Sequence, residues 1–252
     1  MLRMQTGPPI EEKSARGTVY FLYRYRPFRD DFDSLRRILS ENLWWFGSRT
    51  GFDDELDSVL GGIKLTRADI ERKVRESGGT ESDLRKALND STLAIRVPRS
   101  VQKQSIDSIG ILCLSELPDH PRLWSEYADS GHGACLCLDV GRLLASKEYS
   151  FYKPQEVHYL DAPPHIWNPE AEDQLAETAA TLLRKKRRWE YQREFRILRL
   201  DGVGHHRMPT DSLRAVILGA RLSEAERRII ARWVKSGPWN PMPTIIPSQW
   251  PR

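Results

Sequence analysis

The sequence predicts an α+β fold in which a mixed, split β-sheet carries flanking helices and one helical insertion. Short apolar and aromatic runs alternate with amphipathic stretches, and the regular strand–helix–strand spacing of a parallel sheet is missing. The chain has 252 residues, of which 39% are hydrophobic and 29% are charged, so it can bury a sizeable core. These three observations favour a globular protein with one large domain.

Several short runs rich in β-branched and aromatic residues are predicted to be the strands of this sheet. Because side chains alternate along a strand, the first run places Arg24 and Arg26 on one face. In the second run, the bulk of Trp44, Trp45 and Phe46 predicts that these three side chains lie in the core. The predicted strands lie near residues 18–25, 43–47, 109–115, 134–139, 155–160, 193–199 and 214–218.

Stretches with apolar residues every three to four positions are predicted to be helices. Two charged helices are expected near residues 67–76 and 81–88. The run from Asn168 to Arg187 is predicted to be the longest helix. A helix that Ser223 caps is expected to continue to Ser236.

The predicted elements also suggest how the chain is divided. The polar residues 1–17, which include Gly-Pro-Pro, are predicted to form a flexible N-terminal arm. Residues 18–252 are predicted to form a single α+β domain of catalytic type. Residues 60–105 are interpreted as a helical insertion that lies outside the sheet, and Pro98 interrupts its last part.

Charge and cysteine content narrow the class of protein. The net charge of +4 permits a nucleic-acid or nucleotide partner without requiring one. Cys135 and Cys137 point the same way on a predicted strand, so they are badly placed to form a disulfide. The absence of a signal peptide and of a disulfide framework predicts a cytoplasmic protein. No apolar run approaches the roughly 20 residues that span a bilayer, so no membrane partner is expected.

The stretch from Trp189 to Leu198 is the strongest candidate for a functional site. It follows a basic run and ends in alternating apolar residues that are typical of a strand. That alternation predicts that Gln192, Glu194 and Arg196 share one face of the strand. A carboxylate between an amide and a guanidinium is a possible site, while an ordinary strand with a charged outer face is the alternative.

A set of short motifs follows a fixed order between residues 20 and 220. The motifs are Leu22-Tyr-Arg-Tyr-Arg26, Leu43-Trp-Trp-Phe46, Phe52-Asp-Asp-Glu-Leu-Asp57, Ser115-Glu116, Trp124-Ser-Glu-Tyr-Ala-Asp129, His132-Gly133, Trp189-x-Tyr-x-x-Glu-x-Arg196 and Leu218-Gly219. As an ordered set they resemble a bacterial family that is catalogued as domain of unknown function 2971. This chain has Arg24 where that family often has lysine, and Gln192 where it often has glutamate. The family name implies no chemistry.

The order of Arg24, Ser115 and Gln192-x-Glu194 also resembles the ADP-ribosyltransferases. Those enzymes carry an arginine on the first strand, a serine motif on a middle strand and a Gln/Glu-x-Glu motif on a later strand. Here the serine motif is Leu114-Ser115-Glu116 in place of Ser-Thr-Ser. The resemblance implies an ADP-ribosyltransferase-like split sheet, NAD as the substrate and no metal.

The resemblance also implies roles for the matching residues. Glu194 would stabilise the positive charge that develops on the ribose when the bond to nicotinamide breaks, and Gln192 would orient the acceptor. Arg24 would hold the pyrophosphate, and Ser115 would position the side chains of Arg24 and Glu194. Tyr127 would stack on nicotinamide.

His132, which lies between two glycines, and Arg196 are further candidates for contact with the cofactor. The implied activity is cleavage of NAD with transfer to a macromolecular acceptor, either a protein or a nucleic acid. A bacterial toxin or a phage-defence effector would carry out such a reaction.

Two other interpretations stay open. A metal-dependent nuclease or phosphoesterase would hold magnesium with Asp53, Asp54, Glu55 and Glu194, and its basic run at 185–188 would contact nucleic acid. A non-catalytic module would sense a nucleotide or bind a partner protein, with Arg24 and Arg196 as ligand clamps. Oligomeric state cannot be predicted from this sequence.

Overall fold

The structure is a computed structural model, and it describes residues 13–14, 17–18, 20–31, 33–52, 54, 57–90, 94–95, 106–145 and 153–249. The predicted N-terminal arm lies outside these residues except at 13–14 and 17. The last part of the predicted insertion, at 92–105, is described only at Ala94–Ile95, which form a short strand. The description below concerns only the residues that the structure describes.

Helices and strands alternate irregularly along the chain. The α-helices are α1 (Ser34–Glu41), α2 (Arg67–Glu76), α3 (Glu81–Asn89), α4 (Pro121–Tyr127), α5 (Val140–Ala145), α6 (Gln174–Leu182) and α7 (Glu224–Ser236). The strands are β1 (Lys13–Ser14), β2 (Gly17–Thr18), β3 (Phe21–Pro27), β4 (Trp44–Phe46), β5 (Leu60–Lys64), β6 (Ala94–Ile95), β7 (Gly110–Ser115), β8 (Gly133–Asp139), β9 (Gln155–Glu156), β10 (His158–Tyr159), β11 (His165–Trp167), β12 (Arg184–Lys185), β13 (Glu194–Arg199), β14 (Gly204–His206), β15 (Leu213–Leu218) and β16 (Thr244–Pro247). Short 3-10 helices cover Arg49–Gly51, Asp129–Gly131 and Arg187–Gln192.

The chain divides into two compact units. The first unit comprises Met1–Gly47, Ile109–Val157 and Glu190–Arg252, and the second comprises Ser48–Ser108 and His158–Trp189. The predicted insertion at 60–105 therefore falls in a unit that also includes residues 158–189. The two units are described separately below.

A seven-stranded mixed sheet forms the first unit, in the order β16-β15-β8-β3-β7-β13-β9. The pair β15–β16 is parallel, and the other neighbouring pairs are antiparallel. The α+β class and the mixed sheet are therefore confirmed, and most of the predicted strands lie in this sheet. The predicted strand at 155–160 contributes only Gln155–Glu156 to it, since β10 pairs with β12 instead.

The predicted strand at 43–47 does not join this sheet, which corrects the expected topology. β4 pairs with β14, because the Asn42 amide bonds to both backbone groups of Met208 and aligns the two segments. Trp44 and Phe46 are fully buried, as expected. Trp45 points the other way along the strand and is 45% exposed beside His205, so the prediction of a core position for it was wrong.

The ladder between β3 and β7 opens after a single pair of residues. Tyr23 pairs with Ser115 at the closed end, and no other register pair joins these two fully described strands. Further along β7, Ile111 exchanges two backbone hydrogen bonds with Gly47. Between these two points, the Cys113 carbonyl accepts a hydrogen bond from Arg24 Nη1. The Cys113 carbonyl on this edge of β7 therefore has a hydrogen-bond donor, although no β3 residue pairs with Cys113.

The two faces of the sheet are packed against different helices. On one face, α1 and α7 cover apolar side chains that include Leu22, Leu136, Phe195 and Val216. On the other face, α4 inserts Trp124 against Tyr25, with the ring centroids 5.2 Å apart. Burial of a large apolar side chain contributes roughly 2–3 kcal/mol, so these two layers hold the strands in place.

The second unit contains helices and short strands. β5 lies between β11 and β6, and the helices α2 and α3 match the predicted pair to within one residue. Both helices begin with a capping box, Thr66 with Asp69 and Thr80 with Asp83. The described part of 60–105 lies outside the seven-stranded sheet, as predicted, but it supplies two strands as well as helices.

The longest helix is not the predicted one. Instead of one helix from Asn168 to Arg187, the structure has α6 over Gln174–Leu182, followed by β12. The Asp173 carboxylate accepts a hydrogen bond from Ala176 N at 2.9 Å and starts the helix there. Among the described helices the longest is α7, with 13 residues, which begins after Ser223 as predicted.

We expect Ser223→Ala to lower the free energy of unfolding by about 1 kcal/mol, because it removes the N-cap of α7. Ser223 Oγ accepts from Glu226 N at 3.3 Å, and the Glu226 carboxylate bonds back to Ser223. Urea denaturation at pH 7 measures the change. Ser236→Ala, at the exposed other end of the helix, is the control and should change stability by less than about 0.5 kcal/mol.

The same comparison should depend on pH. The hydrogen bonds to Ser223 and His132 lower the pKa of the Glu226 carboxyl from 4.5 to about 2. A group with a lowered pKa stabilises the fold above its unfolded pKa and loses this effect as the pH falls through the folded value. The difference between wild type and Ser223→Ala should therefore shrink below pH 4.5. A difference that stays constant down to pH 3 would contradict this account of the cap.

Candidate functional site

Three neighbouring strands bring Arg24, Ser115 and Glu194 into one region of the first unit. β7 lies between β3 and β13, so residues that are far apart in the sequence become neighbours. Ser115 is in register with Tyr23 on one side and with Glu194 on the other. The region lies at the closed end of the β3–β7 ladder, beside the place where that ladder opens.

Glu194 and Arg196 form a buried ion pair on β13. Arg196 Nε donates to Glu194 Oε1 at 2.7 Å, and the two residues are 0% and 4% exposed. They share one face of the strand, while Phe195 belongs to the core on the opposite face. The alternation predicted for these residues is therefore present. The carboxylate and the guanidinium are therefore paired in a place from which water is largely excluded.

Gln192 does not lie on this strand, so the predicted three-residue face is incomplete. It ends the 3-10 helix Arg187–Gln192, and Arg193 then turns the chain with a φ of 41° before β13 begins. Gln192 is nevertheless buried, and its Nε2 donates to the Tyr127 hydroxyl at 2.7 Å. Strand periodicity cannot detect a left-handed residue such as Arg193, and this explains the error.

Ser115 holds the backbone of the turn before Glu194. Its Oγ donates to the Gln192 carbonyl at 2.6 Å and accepts from Leu117 N at 3.1 Å. These bonds differ from the predicted role, in which the serine would contact the side chains of Arg24 and Glu194. Ser115 instead fixes the path of the chain from Gln192 into β13, and so it positions Glu194 through the backbone.

Arg24 crosses the opening between β3 and β7. The register places its Cβ on the face of Leu136, opposite to the face of Glu194. Its guanidinium reaches the Cys113 carbonyl, and its buried Nε has no hydrogen-bond partner in the described part of the chain. Burial lowers the pKa of Arg24, whereas the Cys113, Glu194 and Tyr127 side chains oppose this shift. The guanidinium is therefore within electrostatic range of Glu194.

Tyr127 belongs to a polar and aromatic network at the end of α4. The hydroxyl of the neighbouring Tyr191 donates to Glu126 at 2.6 Å, and the Arg122 guanidinium lies over the Tyr191 ring at 3.7 Å. Arg122 Nε also donates to Glu126 at 2.8 Å. Burial, together with the hydrogen bond to Glu126, raises the pKa of Tyr191. The network fixes the two tyrosine hydroxyls beside the Gln192 amide.

His132 is held apart from these residues by its own partners. Its Nε2 lies 3.0 Å from Glu226 at the start of α7, and its Nδ1 lies 3.4 Å from Asp129. None of its contacts among the described residues reaches Arg24, Ser115 or Glu194. The structure therefore places His132 at the cap of α7, while the other predicted site residues meet around β7 and β13.

Sequence reasoning overlooked Arg26, Tyr191 and Cys113. Arg26 follows Arg24 by two positions on β3, so the strand periodicity that selected Arg24 could have selected it. Cys113 faces both arginines from β7, and its half-buried side chain is outside any disulfide. Only the tertiary structure shows that this residue of a separate apolar strand lies beside them. Cys135 and Cys137 are likewise not bridged, as predicted.

The second unit contains Asp54 and the basic run of the metal-enzyme interpretation, whereas Glu194 belongs to the first unit. Asp54 accepts from Trp189 Nε1 at 2.8 Å and pairs with Arg188, while Lys185 pairs with Asp57. Lys185 and Arg188 of the basic run therefore form ion pairs within this unit. Asp53 and Glu55 lie outside the described residues, and within the described ranges no group of three or more His, Cys, Asp or Glu could hold a metal. No described helix is both long and apolar enough to cross a membrane.

Comparisons with known proteins bear on one part of this region. Residues 123–197 match the family model described as a protein of unknown function (DUF2971). Searches of curated proteins and of solved structures gave no match. The matched segment runs from α4 to β13 and contains Tyr127, Gln192, Glu194 and Arg196. The resemblance found in the sequence is thereby confirmed for this segment, which is similar to the DUF2971 family.

Proposed function

We propose that the protein is an NAD-dependent ADP-ribosyltransferase-like enzyme that cleaves the nicotinamide–ribose bond and modifies a macromolecular acceptor. One observation carries this proposal. Arg24, Ser115 and Glu194, which match the arginine, serine and glutamate positions of such enzymes, lie on three adjacent strands beside the point where β3 and β7 separate. A carboxylate and a guanidinium thus occur together beside an opening in the sheet.

Glu194 would carry the electrostatic part of the reaction. When the nicotinamide–ribose bond breaks, its electron pair leaves with nicotinamide, and the ribose carbon becomes positively charged. A buried carboxylate with a fixed position stabilises this charge without waiting for solvent to reorganise. The acceptor, a macromolecule or water, then forms the new bond to that carbon and releases its proton to solvent. The ion pair with Arg196 would hold the Glu194 carboxylate in position for this step.

Gln192 and its neighbours would orient the acceptor. The Gln192 amide is tied to the Tyr127 hydroxyl at 2.7 Å, and its backbone carbonyl is tied to Ser115 at 2.6 Å. Because both its side chain and its backbone are hydrogen-bonded, Gln192 has little conformational freedom. It can therefore present a fixed hydrogen-bonding group to the acceptor at low entropic cost. Tyr127 also provides an aromatic ring beside the Gln192 amide, which could stack on nicotinamide.

Glu194→Gln should lower the rate of nicotinamide release from NAD by about a hundredfold or more, since it removes the charge that stabilises the ribosyl cation. Mass spectrometry of the released nicotinamide measures the rate. Glu156→Gln is the matched control. It is the same substitution, and Glu156 lies on the neighbouring strand in register with Phe195. It should retain activity within a factor of about three.

Circular dichroism and thermal unfolding should accompany this experiment, because Glu194→Gln leaves Arg196 without its carboxylate. A folded Glu194→Gln variant with wild-type activity would rule out the proposed chemistry. If Glu194→Gln does not fold, Glu194→Asp is the variant to test. It keeps a negative charge for Arg196, but its side chain is one methylene shorter. This variant should fold and be much less active.

We expect a chelator to leave nicotinamide release unchanged, because the proposed mechanism uses a carboxylate and no metal. Asp54→Asn should also keep substantial activity, since Asp54 pairs with Arg188 and Trp189. Turnover with and without EDTA, for wild type and for this variant, is the measurement. Loss of turnover in EDTA, with recovery on adding magnesium, would favour the metal-enzyme interpretation instead.

A further inference from the structure

Two arginines lie side by side in the opening between β3 and β7. Arg24 and Arg26 are separated by two positions on β3, so their side chains leave the same face of the strand. The Nε atom of each is buried and has no hydrogen-bond partner among the described residues. Arg24 Nη1 donates to the Cys113 carbonyl, a neutral group. Arg26 makes no hydrogen bond or ion pair with any residue that the structure describes.

The two carboxylates near Arg24 and Arg26 each have another partner, so neither is dedicated to these two positive charges. The groups that face Arg26 are Arg24, Asp30 and Cys113, and burial and the Arg24 charge together lower the pKa of Arg26 to about 9. Asp30 is used elsewhere, since its Oδ1 accepts from Ser34 N at 2.8 Å. Glu194, which interacts electrostatically with Arg24, already pairs with Arg196 at 2.7 Å. Two like charges are therefore held together at low exposure, which is costly unless an anion completes the site.

The position of Arg26 is also fixed by its backbone. Arg26 is in register with Ala134 on β8, and the next pair joins Pro27 to Gly133. A Cβ atom at Gly133 would lie 2.2 Å from the Arg26 carbonyl oxygen, so only glycine allows β8 to approach this closely. The guanidinium is thus presented from a rigid strand.

We propose that Arg24 and Arg26 together bind the phosphate groups of an anionic ligand, with a diphosphate as the best-fitting class. A guanidinium offers a planar fork of donors that matches phosphate oxygens, and two forks suit a group with two phosphates. This deepens the proposed function and rests on it for the identity of the natural ligand, because it assigns a second cation to the pyrophosphate of NAD. The anion site itself does not require that NAD be cleaved.

Calorimetric titration with inorganic pyrophosphate tests the site directly. Wild type should bind pyrophosphate, and Arg26→Gln should weaken the affinity at least tenfold, because it removes one charged fork. Arg29→Gln is the control, since it removes an equal charge from an exposed residue near the end of the same strand. It should change affinity by less than about threefold.

Thermal unfolding separates a binding role of Arg26 from a structural one. Pyrophosphate should raise the Tm of wild type but not that of Arg26→Gln, since only the protein that binds the ligand is stabilised. Without pyrophosphate, Arg26→Gln should melt at the same or a higher temperature, because it removes a partly buried cation that lies beside another. A lower Tm would overturn the proposal, for it would show that Arg26 supports the fold.

Cys113 provides an independent probe of the same place. It is half-buried beside the two arginines, whereas Cys135 and Cys137 are 0% and 2% exposed. Alkylation of Cys113 by iodoacetamide, read by peptide mass spectrometry, should slow when pyrophosphate is present in wild type and not in Arg26→Gln. An unchanged rate in wild type would count against the site.

The outcomes distinguish this inference from the proposed function. Pyrophosphate binding that depends on Arg26, in a protein that releases no nicotinamide, would support the anion site and reject the transferase. If the protein releases nicotinamide and Arg26→Gln leaves the KM for NAD unchanged, the result would support the transferase and reject the anion site. No pyrophosphate binding by wild type at millimolar concentration would overturn the anion site whatever the activity.

Discussion

The hydrogen bond from the Arg24 guanidinium to the Cys113 carbonyl is the contact on which the candidate site depends. A buried carbonyl without a partner is costly, so β7 could not separate from β3 unless another donor replaced the lost ladder bond. Arg24 supplies this donor between Ser115, which still pairs with β3, and Ile111, which pairs with Gly47. The opening in the sheet and the buried cation are therefore two aspects of one arrangement.

The residues around Glu194 also use their polar side chains to hold other parts of the chain in place. Ser115 uses its hydroxyl on the Gln192 carbonyl, and Arg196 uses its Nε on the Glu194 carboxylate. These contacts fix the path of the chain. They differ from the contacts that the sequence motif suggested, in which Ser115 would touch the Arg24 and Glu194 side chains and Arg196 would touch the cofactor. A family motif names residue types in order, while the hydrogen bonds decide which of them can touch a ligand and which of them hold the others.

Much of this arrangement could be predicted from the sequence, because strands and helix caps leave local signals. The face shared by Glu194 and Arg196 follows from alternation, and the start of α7 follows from Ser223 and Glu226. The sequence did not reveal the left-handed turn at Arg193, which removes Gln192 from the strand. It also did not show that β4 pairs with β14, since that choice depends on Asn42 and a residue 166 positions away. Long-range polar contacts of this kind have no local pattern.

The three strands that carry Arg24, Ser115 and Glu194 are joined by long stretches of chain. Closing such loops is slow compared with forming a helix, so this part of the sheet is expected to assemble late in folding. During synthesis, β13 leaves the ribosome after most of the chain, and until then β7 has no partner on its Glu194 side. The carboxylate therefore comes within electrostatic range of Arg24 only after β13 has paired with β7. The candidate site is incomplete until that pairing forms, whatever ligand it binds.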